Sequence, residues 1–293
     1  MRRYSLLVII AVAGIAGGFA GPRIIVVYGQ PAPSPSTAQL DANDIAAVDW
    51  WQAHPDLHRA LHDAGDNRNE LERFLAAVPE AQRDGARFLV QYMPLHDLTA
   101  LKAPYLLENI ELAYRAKREF PWGKSIPDEI FFNDVLPYAN INESRDDWRR
   151  DFWDRFAPVV RDCRTASEAA QRLNEKVFAT LNVRYSTQRR RADQGPQESI
   201  ETGLASCTGL SILLVDACRA VGIPARLVGI PEWVNKRGNH TWVEMWDEKW
   251  HFTGACEPDQ RGLNYAWFQH DASLALAEDW RHSIYAASYK HTG

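Results

Sequence analysis

The sequence lacks the motifs that carry most metal and nucleotide chemistry. It has no C-x-x-C pair, no H-E-x-x-H helix and no glycine-rich phosphate loop, and no aspartate-rich calcium loop stands in their place. No cofactor and no metal are therefore expected. An excess of basic residues is missing too. The 33 Lys and Arg against 38 Asp and Glu give a formal charge of −5, which argues against nucleic acid as a partner. There is no internal repeat, and no apolar run matches the roughly 20 residues of a membrane span. What is there is ordinary for a soluble globular chain: 293 residues, 46% hydrophobic and 24% charged, enough for a large core in one or two domains. Eleven Trp is a high count, and most stand where a core or a substrate groove would use them.

Arg2 and Arg3 precede an apolar run from Leu6 to Ala16, with small residues around Phe19. That is the layout of a secretory signal peptide, so residues 1–20 are expected to direct export to the periplasm or the cell exterior. Ile24–Val27 prolongs the apolar character, which leaves an uncleaved membrane tether as the alternative. Residues 21–44, with QPAPSPST at 30–37, read as a Pro/Ser-rich linker. Residues 45–163 carry helical periodicity and are expected to form a helical subdomain. Its clearest segments are Glu70–Ala77, Pro104–Phe120 with Pro104 at a first helical position, and Asp146–Val160 with four large aromatics. Residues 164–293 read as the second domain, beginning with a helix over Ser167–Leu181 capped by Ser167.

The stretch Ser206–Arg226 (SCTGLSILLVDACRAVGIPAR) organises that second domain. Leu210, Leu213, Leu214, Ala217, Cys218 and Val221 recur at steps of three and four, the signature of one helical face. Ser206 suits the N-cap, and Gly222 followed by Pro224 ends the helix. Cys207 thus stands where unpaired N–H groups and the helix dipole favour a thiolate, while Cys218 is placed for packing. With those two assigned, only Cys163 and Cys256 remain for a disulfide, against the plainer reading of four free thiols.

Strand patterns follow. Ala225–Ile230 is short and apolar, His240–Trp246 alternates, and Trp250–Ala255 returns after Asp247-Glu248-Lys249, making an antiparallel hairpin. His240 heads its strand, where a loop could return the imidazole over the helix start. A nucleophilic thiol needs such a base within reach, and the base needs an orienting group. Pairing Trp246 with Trp250 sets Gly254 opposite Trp242. The basic triplet Arg189-Arg190-Arg191 is either a solvated loop surface or a contact for an acidic substrate or cell-envelope polymer.

Cys207 opening a helix, then GIPAR at 222–226, then HTWVE at 240–244, then Trp250 resembles the core of the transglutaminase-like superfamily over roughly residues 167–260. The resemblance implies an α+β, papain-like fold with a Cys-His-Asp triad, the cysteine helix packed on an antiparallel sheet, Cys207 as nucleophile and His240 as base. One position departs from the pattern. Most relatives carry the Asp four residues after the tryptophan matching Trp250, and here that position is Gly254. A bulge in the returning strand could bring Glu257 into the role; Asp259, an amide, a water or no third partner are the alternatives. The Cys207 N–H is one expected oxyanion donor, with Gln197 or Tyr185 as candidates for a second. Trp233 and Trp242 either line an acyl groove or pack in the core. The expected function is an exported thiol enzyme acting on amide bonds of a protein or peptide, with hydrolysis favoured over cross-linking. The alternative is a non-catalytic binding domain of the same fold.

Overall fold

The computed structural model describes residues 7–11 and 23–27 by their backbone and residues 50–291 in full. Strands β1 (Leu7–Ala11) and β2 (Arg23–Val27) pair antiparallel. The rest of the expected export segment and most of the linker lie outside the described residues. Among the described residues no helix is long and apolar enough to cross a membrane.

Between residues 55 and 160 the chain is mainly helical: α1 (Pro55–Asp63), α2 (Arg68–Ala77), α3 (Arg83–Gln91), α4 (Leu95–Leu98), α5 (Ala103–Glu119), α6 (Asp128–Asp134) and α7 (Arg149–Val160). Local chemistry sets their ends. Pro104 sits in the first turn of α5, where its missing N–H costs nothing, and Lys117 and Arg118 face the negative end of the dipole. α7 starts three residues later than its amphipathic pattern suggests. The Asp146 carboxylate accepts the Gln197 N–H at 2.8 Å and stays outside the helix.

The second half runs α8 (Ala166–Leu181), β3 (Arg184–Tyr185), α9 (Pro196–Thr202), β4 (Leu204–Ala205), α10 (Cys207–Ala220), β5 (Ala225–Ile230), β6 (His240–Asp247), β7 (Lys249–Thr253), α11 (Gln269–Ser273) and β8 (Tyr285–Ala286). The cap of α8 is Thr165 rather than Ser167. Its hydroxyl accepts from the Glu168 N–H at 3.1 Å, the Glu168 carboxylate takes the Arg164 N–H, and the Ser167 N–H is committed to Asp247. Strands β7-β6-β5-β8 form one antiparallel sheet, and Trp246 pairs with Trp250 as the alternation requires. Arg226 opposite Glu244 makes a buried cross-strand ion pair, the guanidinium lying 3.6 Å from the Trp250 ring centre.

α10 packs on the sheet face that carries Val243 and Met245. The opposite face, with Val228, Ile230, Trp242 and Phe252, makes a smaller cluster with Trp233, Phe268, Ile284 and Tyr285. The helix is buried on every side from Gly209 to Ala220, not on one face. That enclosure is possible because the earlier helices cover its outer side. The main core runs from Trp51 to Ala255 without a break, so the helical region and the residues beyond 164 share one interior. Two buried arginines bolt the pieces together. Arg149 donates to Asn109 and to the carbonyls of Val135, Leu136, Pro137 and Arg219, while Arg219 donates to those of Asp134, Ala139 and Ala225.

Candidate active site

Cys207 is the first residue of α10. Ser206 caps the helix, its hydroxyl accepting from the Gly209 N–H at 3.0 Å and donating to the Ala192 carbonyl. The Ser206 carbonyl takes the Leu210 N–H. The N–H groups of Cys207 and Thr208 are left without a partner at the helix end. The half-buried thiol stands in the wall of a cavity of about 410 Å³ that β5, the start of β6 and the tail residues Trp280 and Tyr285 complete.

His240 lines the same cavity. It opens β6 opposite Ile230 and sits in an aromatic box, with ring centres at 4.9 Å for Trp267, 4.8 Å for Phe268 and 6.2 Å for both Trp233 and Trp242. Its Nε2 is buried and has no hydrogen-bond partner. Nδ1 has none either, but is not sealed from solvent. No hydrogen bond joins the ring to Cys207. Burial alone drives the imidazole down to about 4, so the ring is neutral at neutral pH.

That shift makes a stability prediction. Between pH 6.5 and about 4 the unfolded chain binds a proton that the folded chain refuses, so His240 costs stability as pH falls through that window. The full cost is about 3 kcal/mol. Buried carboxylates such as Asp134, raised to about 6 by burial, work in the opposite sense. Isolating the histidine therefore needs a variant. Denaturant unfolding of His240→Gln should lose about 3 kcal/mol less than the wild type between pH 7 and pH 4, and equal losses would contradict the burial of the ring.

The structure brings Glu257 close to where the sequence expected an Asp. β7 stops at Thr253, and Gly254 forms an isolated bridge with Glu257 as the chain bends back. A Cβ placed on Gly254 would lie 2.5 Å from Glu257 Oε2. The carboxylate fills the space that the glycine leaves. It is not bonded to His240, however; its Oε2 accepts from the Trp267 indole N–H at 2.7 Å. Burial raises its pKa, and the indole bond offsets part of that rise. Asp259 is engaged elsewhere, taking a two-pronged bond from Arg261 at 2.9 and 2.8 Å that holds its carboxyl down at about 2.

The second oxyanion donor is corrected, and the alternatives left open for the tryptophans and cysteines resolve to packing and to free thiols. Neither Gln197 nor Tyr185 reaches the cavity: the Gln197 amide donates to Glu201, and Tyr185 is exposed on β3. The unpartnered N–H of Thr208 is the nearer companion for that of Cys207. Trp233 and Trp242 stack in the core at 6.4 Å and do not line the cavity, where Trp280 and Tyr285 are the aromatics. All four cysteines are free, Cys163 being buried and Cys256 exposed, so no bridge joins them. Cys218 is sealed in the core, and burial pushes its thiol up to about 12. Sequence reading overlooked Trp267, which lies in an apolar-rich tail piece with no motif to distinguish it.

The cysteine at the helix start and the strand-end histidine thus share one cavity on a scaffold of mixed helix and sheet. More particularly, residues 154–272 match the sequence model of the Transglutaminase-like superfamily, so the chain carries a domain of that superfamily. No curated protein matches the chain. Among solved structures it is similar to a Cytophaga hutchinsonii protein provisionally described as a cysteine protease, at 18% identity over 39% of this chain and a TM-score of 0.32. The chain spans 40% of the length of that protein.

Proposed function

We propose that the protein is an exported, thiol-dependent acyl-transfer enzyme that cleaves amide bonds. One observation carries the reading: Cys207, at the unpaired N-terminus of α10, and His240 line one cavity. In the proposed cycle the Cys207 thiol passes its proton to the imidazole, and the thiolate attacks the carbonyl carbon. The N–H groups of Cys207 and Thr208 hold the oxyanion. The imidazolium then returns its proton to the leaving amine. Water, activated by the neutral imidazole, completes hydrolysis of the thioester. Glu257 is the orienting carboxylate once it turns from Trp267 to the buried Nε2 of His240.

Hydrolysis is favoured over cross-linking because no carboxylate lines the cavity to attract a lysine ammonium. The test is a quenched peptide amide offered together with a labelled primary amine. Cleavage without amine incorporation is expected, and dominant incorporation would reverse the assignment. Glu257→Gln should lower kcat by about 10²-fold or more, since the amide cannot stabilise the imidazolium. Asp259→Asn, already paired with Arg261, should stay within about two-fold of the wild type. Gly254→Asp combined with Glu257→Ala should recover most of the rate, because the new carboxylate enters the space the old one leaves. A reversed ranking of the first two variants would reassign the orienting group.

The contact from Trp267 to Glu257 favours a second reading, a non-catalytic module of the same fold. Alkylation rates of Cys207 against pH, in the wild type and in His240→Ala, separate the two. Labelling well below the free thiol range of about 8.5 that depends on His240 supports the enzyme; an ordinary thiol indifferent to it supports the module.

A further inference from the structure

The basic triplet does not behave as one solvated surface. Arg191 has found an acid, Glu198 at 2.8 Å, and Arg190 is exposed. Arg189 is different. It is half-buried in the wall of the Cys207 cavity, and of the residues that line that cavity it is the one with a permanent charge. No carboxylate pairs with it; its one hydrogen bond is from Nη1 to the Thr187 carbonyl at 3.0 Å. No Asp or Glu lines the cavity, and on the tail side Glu232 and Asp279 each stand 4.0 Å from His282. Arg281 is not in the cavity lining; its guanidinium lies 5.2 Å from the ring centre of Trp280, which is. Most of the remaining wall is apolar, with Leu227, Val228, Ile230, Tyr285 and Trp280, and Thr208, Asn239 and Thr241 add neutral polar groups.

We infer that this cavity accepts an acyl donor bearing a carboxylate, which Arg189 binds while an apolar segment lies along β5 and Trp280. This deepens the proposed function and rests on it. A mostly apolar pocket with a few placed polar groups is the usual form of a specific small-molecule or side-chain site, and a guanidinium presents a planar fork that matches a carboxylate. The loop holding Arg189 is fixed to the cysteine helix. Ser206 bonds to Ala192 three residues on, and Gln194 donates to the Leu204 carbonyl at 3.0 Å. The charge therefore stands at a set position relative to the thiol.

The test uses matched covalent probes on the whole protein. N-iodoacetyl-glycine, its β-alanine and γ-aminobutyrate homologues, and the corresponding neutral amides are reacted with the protein, and adducts at Cys207 are quantified by mass spectrometry. Exposed Cys256 in the same molecule is the reference thiol. At one chain length the acid-to-amide rate ratio at Cys207 should exceed that at Cys256 by about ten-fold or more. Arg189→Ala should bring it to the Cys256 value, Arg189→Glu below it, and Arg189→Lys to an intermediate value. Iodoacetyl-aspartate blocked at either carboxyl then tells a side-chain carboxylate from a chain-terminal one. A ratio equal at the two cysteines, or unchanged in Arg189→Ala, overturns the inference. Because two probes compete for one thiol, the ratio decides this at any absolute rate. Slow labelling of Cys207 by both would count against the enzyme reading alone.

Discussion

Replacing Cys207 by Ala should abolish amide turnover, with a fall on the order of 10⁴-fold or more in kcat, while the folded state is unchanged. Both halves follow from the site. The Cβ–Sγ bond points from the first residue of a helix whose cap is made by Ser206 and not by the cysteine, so removing the sulfur leaves the Gly209 and Leu210 bonds in place. The thiol is half-buried at a cavity wall, and its loss opens no sealed void of the kind that destabilises cores. Chemistry has no substitute for it: with no nucleophile, no acyl-enzyme forms, and what remains is the binding and oxyanion contribution. Turnover measured beside thermal unfolding checks both statements. Residual turnover above a hundredth of wild type would exclude Cys207 as the nucleophile.

The largest stability effect is expected at Arg149. Its guanidinium is 2% exposed and donates to an amide oxygen and four carbonyls contributed by α5, the loop after α6, and the end of α10. Burial and the neighbouring Arg219 lower its pKa to about 9, so the charge is held at a cost. Arg149→Met keeps much of the stem's volume and removes every donor. Each buried acceptor left unpaired costs about 1–3 kcal/mol, and some of these carbonyls accept bonds elsewhere, so a net loss of about 4 kcal/mol is expected. The midpoint of denaturant unfolding should fall with little change in slope. A loss below about 1 kcal/mol would mean that water or Arg219 replaces the bonds.

The elements that position the site were legible because periodicity and punctuation agreed there. Ser206, Cys207 and Gly222 marked both ends of α10, β5 was bounded as observed, and the Trp246–Trp250 pairing followed from alternation about a short turn. The expectation that α10 buries one face failed. Its residues are apolar on most sides, but only the helices that enclose it show that every side is used. β8 is two residues long and pairs with the far edge of β5, a long-range contact that no local pattern encodes. For the same reason sequence placed Glu257 in the right neighbourhood without revealing that Trp267 holds it. A hydrogen bond between side chains ten positions apart across a bend leaves no periodic trace.

The unbroken core bears on how such a domain can be inherited. The matched family segment begins at residue 154, inside α7, so its boundary separates Asp154 from Trp153, Phe152 and Arg149 on the same helix. Recombination at that point would deliver α10 with its outer side bare and its two arginine bolts reduced to one. The piece that a genome can move intact is therefore longer than the piece that resembles its relatives, reaching back to the aromatic pair at Trp50 and Trp51. For α10 to stay enclosed, the helical half must keep that covering apolar and the Arg149 socket closed. Those two conditions keep the cysteine where the sheet and its cover put it.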